Sequence, residues 1–276
     1  METRVAQTTD RDSVMQLLSS VWSDDYVPEH WDDWVEHLDK GVPLLAIDQG
    51  SLVGVAYVHF MSERVAWFQA LRVHPDARRL GVGTELSQSC LRHARRAGRQ
   101  VARLLIDGEN HASASMTERA GFQMVHRYCK LHKEILRTDG PAVAVPTHLE
   151  LPALLGLAET EGHLLWHSNW EARDLCLSVL ELALQNGSLR VLPDQPTAAV
   201  ADVIAYDQDF DVSEPVGEAV AVLALVHGLE QEALNLCKQQ IDIFISERSP
   251  HLDDLVNQAG YRLIENDGHT IWEYPL

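Results

Sequence analysis

The chain has 276 residues, 46% of them hydrophobic, which is enough for two ordinary domains with a core each. Its formal net charge of -19 is lopsided: residues 1–140 carry 17 Lys and Arg against 19 Asp and Glu, residues 141–276 carry 5 against 22. That balance argues against a nucleic-acid partner, whose phosphates need a basic footprint, and leaves either cationic small molecules or a well-hydrated acidic surface.

Nowhere do about 18 apolar residues run uninterrupted, and no apolar run follows the first charges, so neither a membrane span nor a secretory leader is expected. A cytoplasmic protein is the expectation. Cys90, Cys129, Cys176 and Cys237 are scattered, without C-x-x-C spacing, and read as reduced core thiols rather than nucleophiles.

A short strand at Arg4–Ala6 leads into "TTDRDSVMQLLSSVW", where Val14, Leu17, Leu18 and Val21 recur at helical spacing. "EHWDDWVEHLDKG" reads as a second helix stopped at Gly41. Three strands follow, "LLAI", "SLVGVAYVHF" and "RVAWFQALRV", the first two joined through "DQG" as a hairpin turn. Leu86, Cys90, Ala94 and Ala97 then line a helix ending at Gly98, "VARLLI" is a buried strand, "ASASMTERAG" a helix closed by Gly121, and "FQMVHRYCKLHKEI" a strand.

The Gly and Pro of "LRTDGPAVAVPT" mark a connection. Beyond it, "LELPALLGLAETEG" and "NWEARDLCLSVLELALQNG" read as helices, followed by strands "SLRVLP", "AAVADVIAY" and "AVAVLALV". Helix "LEQEALNLCKQQ", strand "IDIFIS", helix "HLDDLVNQAG" and strands near Tyr261–Ile264 and Thr270–Tyr274 complete the chain. "MTERAGFQM" and "LVNQAGYRL" share an Ala-Gly-aromatic helix stop, which suggests an internal duplication, although similar βαβ units also arise without common origin.

Between a strand and a helix lies "PDARRLGVGTELSQSC". An R-x-x-G-x-G turn at such a junction aims backbone N–H groups and a positive helix end at one spot, which suits phosphate oxygens. It lacks the Lys-Ser/Thr ending of a Walker A loop and is not G-x-G-x-x-G; taken alone, a G-x-G is an ordinary turn. His163 and His167 stand four apart without a Glu-bearing zinc motif, and no metal site is expected.

In context, "LRVHPDARRLGVGTEL" followed by "NHASASMTERAGF", in that order and separated by a helix and a strand, resembles the GNAT superfamily of acyl-CoA-dependent N-acyltransferases over roughly residues 3–134. "DDYVPEHWDDWV", the motif-bearing middle and a second half without a phosphate loop are similar to the histidine N-acetyltransferase branch. The resemblance implies an α/β fold with a mixed sheet in two tandem domains. Residues 1–137 would bind acetyl-CoA and catalyse, and residues 146–276 would be a degenerate copy.

It further implies that Leu71, Arg72 and Val73 run along the pantetheine arm, and that Leu80, Gly81, Val82, Gly83 and Thr84 hold the pyrophosphate between Arg78 and Arg79. Asn110, with Ser113 and Thr117, would complete the cofactor set; a plain helix cap is the other reading of Asn110. Arg92, Arg95, Arg96 and Arg99 are either nucleotide contacts or a solvated helix face.

Two positions depart from the family. Thr117 stands where many relatives carry an acidic tyrosine, and Gln69 stands where the histidine-acetylating branch carries a carboxylate, though glutamine cannot accept a proton at neutral pH. A base acting through water is then sought in Asp25, Glu29 or His30, with Tyr26 lining the acceptor pocket; ordinary surface roles are the alternative for each. Trp31 and Trp34 share a helix face, either as packing or as an aromatic wall for a flat acceptor. The function implied is acetyl transfer to the amine of a small molecule, with an amino acid such as histidine one candidate. The alternatives are a protein or peptide N-acetyltransferase and a CoA-binding sensor without turnover.

Overall fold

The computed structural model of the chain describes residues 1–22, 24–136, 138–168, 170–205 and 210–276. Asn169 and Tyr206, at the ends of an expected helix and an expected strand, and Arg137, the last residue of the expected first domain, lie outside them. Two compact units result: residues 1–106, 110–125 and 271–276 form the first, residues 107–109 and 126–270 the second. Both are built from mixed sheet and helices.

The first unit contains β1 (Glu2–Val5), α1 (Arg11–Val21), α2 (Val27–Glu36), β2 (Gly41–Asp48), β3 (Ser51–His59), β4 (Val65–Val73), α3 (Val82–Arg96), β5 (Val101–Asp107) and α4 (His111–Arg119). Strands β1 to β4 are antiparallel neighbours, and β5 is parallel to β4. The apolar faces decide the layers. Leu17, Leu18, Trp31 and Trp34 of α1 and α2 pack with Leu45 and Tyr57 on one side of the sheet; Leu86, Cys90 and Ala94 of α3 pack with Leu44, Ala56 and Val58 on the other.

The "DQG" turn is realised with Gln49 and Gly50 both at positive φ, +50° and +84°, the geometry that matches the twist of a two-residue hairpin. Gly41 does not stop a helix: α2 ends at Glu36, and Gly41 opens β2, where a side chain would overlap the Tyr57 hydroxyl. Nor are all four cysteines core thiols, since Cys176 and Cys237 are exposed.

The second unit comprises most of β6 (Gln123–Glu134), then α5 (Leu151–Thr160), β7 (Leu165–Ser168), β8 (Glu171–Asp174), α6 (Leu177–Gln185), β9 (Leu189–Leu192), β10 (Gln195–Ala205), β11 (Phe210–Gly217), α7 (Ala219–Asn235), β12 (Gln240–Ser246), α8 (Leu252–Asn257) and the first part of β13 (Arg262–Pro275). β12 pairs antiparallel with β6 and parallel with β11, β11 pairs with β10, and β10 with β9; β7 and β8 form a separate hairpin.

Three expectations are corrected here. "AVAVLALV" is the start of the 17-residue α7, not a strand; its buried Val222, Leu225, Val226, Leu229 and Ala233 follow helical spacing. The expected helix over 169–187 gives way at its start to β8, and helix begins only at Leu177. β7 and β11 were not anticipated. Gly121 and Gly260, in the two similar helix stops, are both left-handed, with φ +93° and +77°.

The segment after β6 crosses α7 at a glycine contact. A Cβ on Gly140 would overlap the carbonyl of His227, and one on Gly228 would lie 2.6 Å from the Pro141 carbonyl. Backbone on both sides cannot yield as a side chain would. Gly140→Ala is therefore expected to lower stability by about 1–3 kcal/mol, read as a lower urea midpoint at unchanged slope; an unchanged midpoint would refute the close crossing.

Candidate acyl-carrier site

The site begins with a defect in β4. Between the pairs Val55 with Arg72 and Tyr57 with Gln69, two residues of β3 advance while three of β4 do, and the extra residue shows as Ala70 at φ +57°. Such a bulge sharpens the local twist and turns the strand away from its neighbour. On its other edge β4 pairs with β5 at Val65, Ala66 and Trp67. Past the bulge, no cross-strand pair with β5 is present among the described residues, so the two parallel strands part.

The orientation of the freed edge follows from one hydrogen bond. His74 N–H donates to the Val53 carbonyl at 2.9 Å, towards β3. Successive amides alternate sides along a strand, so Val73 and, past Arg72, Leu71 aim their N–H groups into the opening. Arg72 itself is turned elsewhere, to an ion pair described below.

At the end of β4 the chain makes a 3₁₀ turn over Pro75–Ala77, with Ala77 buried, and reaches α3 through Arg78, Arg79 and Leu80, all exposed. Arg79 and Gly81 both sit at positive φ, +63° and +85°. Gly81 is the N-cap of α3, without a side-chain cap, and a Cβ there would meet nothing within 4 Å. The first bond into this turn is Glu85 N–H to Gly81 O, 3.0 Å. The amides of Val82, Gly83 and Thr84 are thus left pointing out of the helix end, where the macrodipole adds positive potential.

Gly83 has a different reason to be bare. Its Cβ would fall 2.8 Å from the Met116 sulfur of α4 and 3.6 Å from Leu71, so its role visible here is the close approach of α3 and α4. Leu80 projects outward, 69% exposed, and Val82 is buried, anchoring the turn.

No ion pair involves Arg78 or Arg79 among the described residues. The arginines of α3 and just beyond it differ: Arg92 is bound to Glu85 at 2.9 Å, Arg95 approaches the Tyr274 hydroxyl at 3.3 Å, and Arg99, past the helix end, meets Glu63 at 3.3 Å. Asn110 caps α4, its Oδ1 accepting from the Ser113 amide at 3.1 Å, which occupies the Ser113 N–H. Thr117 is buried and gives its carbonyl to the Phe122 amide. It faces the core rather than an opening.

Residues directly opposite on neighbouring strands share a face, so Gln69 stands beside Tyr57 on the α1 and α2 side. There Trp34 stacks on Tyr57 at 4.1 Å and 4°, and His30 stacks with Trp34 at 5.9 Å. Burial, with Asp33 and Asp39 nearby, pushes the Tyr57 hydroxyl above its ordinary pKa. Trp31 is wholly buried and Trp34 nearly so, which makes both chiefly packing residues.

Asp25 is not a free carboxylate. Its side chain is 2% exposed and clamped by Arg72, Nε at 2.7 Å and Nη2 at 3.2 Å, while also accepting the Val27 amide. Arg72 lies over the Trp22 and Tyr26 rings, 5.3 and 5.7 Å away. The pair therefore fixes the segment entering α2 onto β4. Glu29 is exposed, as is Tyr26 at 40%, whose ring lies edge-on to His30 and Trp34.

Another ion pair in this unit was also not foreseen. Arg103, 1% exposed and opposite Trp67 where the strands begin to part, binds Glu273 of the C-terminal segment at 2.7 Å. Sequence spacing gives no signal for a contact 170 residues apart.

Among the described residues no group of three or more His, Cys, Asp and Glu is set to hold a metal, and no helix is long and apolar enough to cross a membrane.

Residues 11–122 match the model of the acetyltransferase (GNAT) family. A GCN5-related N-acetyltransferase from Sphaerobacter thermophilus is 15% identical, with a TM-score of 0.66 over 99% of this chain and 95% of that one. A GCN5-related N-acetyltransferase from Kribbella flavida is 16% identical, TM-score 0.63, over 100% of this chain and 71% of that one. A tandem GNAT protein from the clavulanic acid biosynthesis pathway is 13% identical, TM-score 0.62, over 99% and 98%. No curated protein sequence matches the chain. The fold is like that of the tandem GNAT protein, and residues 11–122 match the acetyltransferase (GNAT) family model.

Proposed function

We propose that the first unit binds acetyl-CoA at the β4 to α3 junction and transfers the acetyl group to the amine of a small molecule. The observation that carries this reading is the set of open amides of Val82, Gly83 and Thr84 beside the unpaired edge of β4, flanked by Arg78 and Arg79, which no carboxylate holds among the described residues. In that arrangement the diphosphate lies on the helix end and the pantetheine runs along Leu71 to Val73 as an added strand. A thioester at the bulge then has a strand amide within reach of its carbonyl oxygen, where negative charge develops during attack.

The acceptor enters from the side of α1 and α2, past Tyr26 and Gln69. Asp25, locked by Arg72, orders that entrance rather than taking the proton; the exposed Glu29 and His30 are the groups on α2 placed to pass it to water. Gln69 is a hydrogen-bonding residue of the acceptor side, suited to an amide or carboxylate neighbouring the amine. An amino acid, histidine among them, fits that description.

Release of free CoA thiol from acetyl-CoA, followed across a panel of amino acids, alkylamines, aminosugars and peptides, tests the reading. Acceptor-dependent thiol with at least one small amine is the expected result. Tight CoA binding with no acceptor-dependent thiol across the panel would replace it with a sensor, and turnover confined to peptides would replace the acceptor class.

A further inference from the structure

The second unit repeats the device of the first. Between the pairs Val200 with Val216 and Asp202 with Ser213, two residues of β10 advance against three of β11, and the extra residue, Glu214, sits at φ +50°. β11 pairs with β12 at Asp211, Val212 and Ser213. The count is the same as in β3, β4 and β5, and so is the exit: Glu218 N–H donates to the Ala198 carbonyl at 2.9 Å as His74 does to Val53. Register by register, Gly217 corresponds to Val73 and Glu214 to Ala70.

What differs is the occupant of the edge. The Gly217 amide donates to Glu161 Oε1 at 2.6 Å. Glu161 is held in turn by His251, whose Nε2 lies 3.2 Å from both carboxylate oxygens, and lies 3.7 Å from His163 Nε2. His163 presents its other nitrogen to Glu214 Oε2 at 2.9 Å, and Glu214 is 0% exposed. A carboxylate, two imidazoles and a second carboxylate thus fill the place that a carrier chain would take.

The approach to α7 is also hostile to phosphate. "SEPVGEAVAV", residues 213–222, contains two acids and no base, with Glu218 at the N-cap itself. A negative charge at a helix N-terminus satisfies the potential that an anionic ligand would otherwise use.

We propose that Glu161 is a built-in occupant of the β11 edge, taking the amide at which the first unit receives its acyl carrier, so that the chain holds one acyl-CoA and not two. This rests on the reading of the first unit only for what the carrier is; the closed edge itself is independent of it. The plug also explains why a polar strand survives in a core. Ser213 and Glu214 both meet histidines, Ser213 Oγ lying 3.0 Å from His167 Nδ1 and Glu214 Oε2 2.9 Å from His163 Nδ1.

Residue-resolved amide hydrogen exchange on the full chain, with and without CoA, tests the proposal. Gly217 is expected to be protected without ligand, unmoved by saturating CoA, and to exchange at least tenfold faster in Glu161→Ala. Glu161→Gln keeps an acceptor oxygen and is expected to retain most of the protection, which guards against a variant that merely unfolds. An unprotected Gly217 in the native chain, a gain of protection there on adding CoA, or a CoA stoichiometry of two would overturn the proposal. Val73 reports separately: if it gains no protection with CoA while Gly217 stays protected, the first-unit assignment falls and the plug stands.

Discussion

Alanine at both Arg78 and Arg79 is expected to weaken acetyl-CoA binding about a hundredfold with the fold intact. Hydrogen bonds to charged groups contribute about 1.5–3 kcal/mol each, and these two side chains are exposed, so the lower figure applies: about tenfold apiece. Neither arginine has an ion pair to lose among the described residues, so the melting temperature should barely move. Calorimetry at low and high salt distinguishes the cause. The native chain should lose affinity steeply with salt and the double variant much less, because fewer charges remain to be screened. Alanine at Arg92, already paired with Glu85, is the control and should change affinity far less. Gly81→Val is expected to act on the same site by another route, placing a β-branched side chain at φ +85° in the open space before the helix end. Undiminished affinity in the double variant would remove the diphosphate from this junction.

The second large effect lies in the other unit. His163→Ala leaves Glu214 fully buried without its counter-ion, and breaking a buried pair in this way costs about 3–5 kcal/mol. The same network makes stability depend on pH in both directions. Burial opposes the charge on His163, but the carboxylates of Glu161 and Glu214 outweigh it and raise the imidazole to about 9. Its contribution is complete below the unfolded value near 6.5 and is lost as pH rises towards 9. Burial, with Lys130 nearby, lowers His269 to about 3, so its contribution is complete above 6.5 and is lost as pH falls. Burial works against the Glu161 carboxylate too, yet His163, His251 and the Gly217 amide hold it at about 2, adding a further loss below 4.5. Urea midpoints should therefore peak near pH 6.5, and His163→Ala should flatten the alkaline limb. A native chain equally stable at pH 6.5 and 9 would contradict the assignment.

Why the first unit was legible and the second less so has a physical answer. In the first, strands β2 to β4 are largely apolar runs with continuous buried stretches, Gly98 and Gly121 end helices in the left-handed region, and the loop glycines sit at a strand-to-helix junction. In the second, "FDVSEPVG" carries Asp, Ser, Glu and Pro and resembles a loop. It is a largely buried strand whose Ser213 and Glu214 meet His167 and His163 from distant segments, a pairing no local pattern reveals. "AVAVLALV" misleads for the opposite reason. Alanine and valine alternate with period two, while the burial of Val222, Leu225, Val226 and Leu229 follows the helix. At the proposed site, residue types pointed to the strand-to-helix junction at Gly81. They did not reveal that Asp25 is spoken for by Arg72, that Thr117 is buried, or that Gly83 answers to Met116.

The central claim is that the main-chain amides at the start of α3 hold the carrier's diphosphate. A crystal structure of the chain soaked or grown with CoA tests it most directly. Diphosphate oxygens within about 3.2 Å of the amides of Val82, Gly83 and Thr84, with the pantetheine on the Leu71 and Val73 edge of β4, are the predicted result. CoA bound in the second unit instead, or a diphosphate held away from these amides, would contradict it.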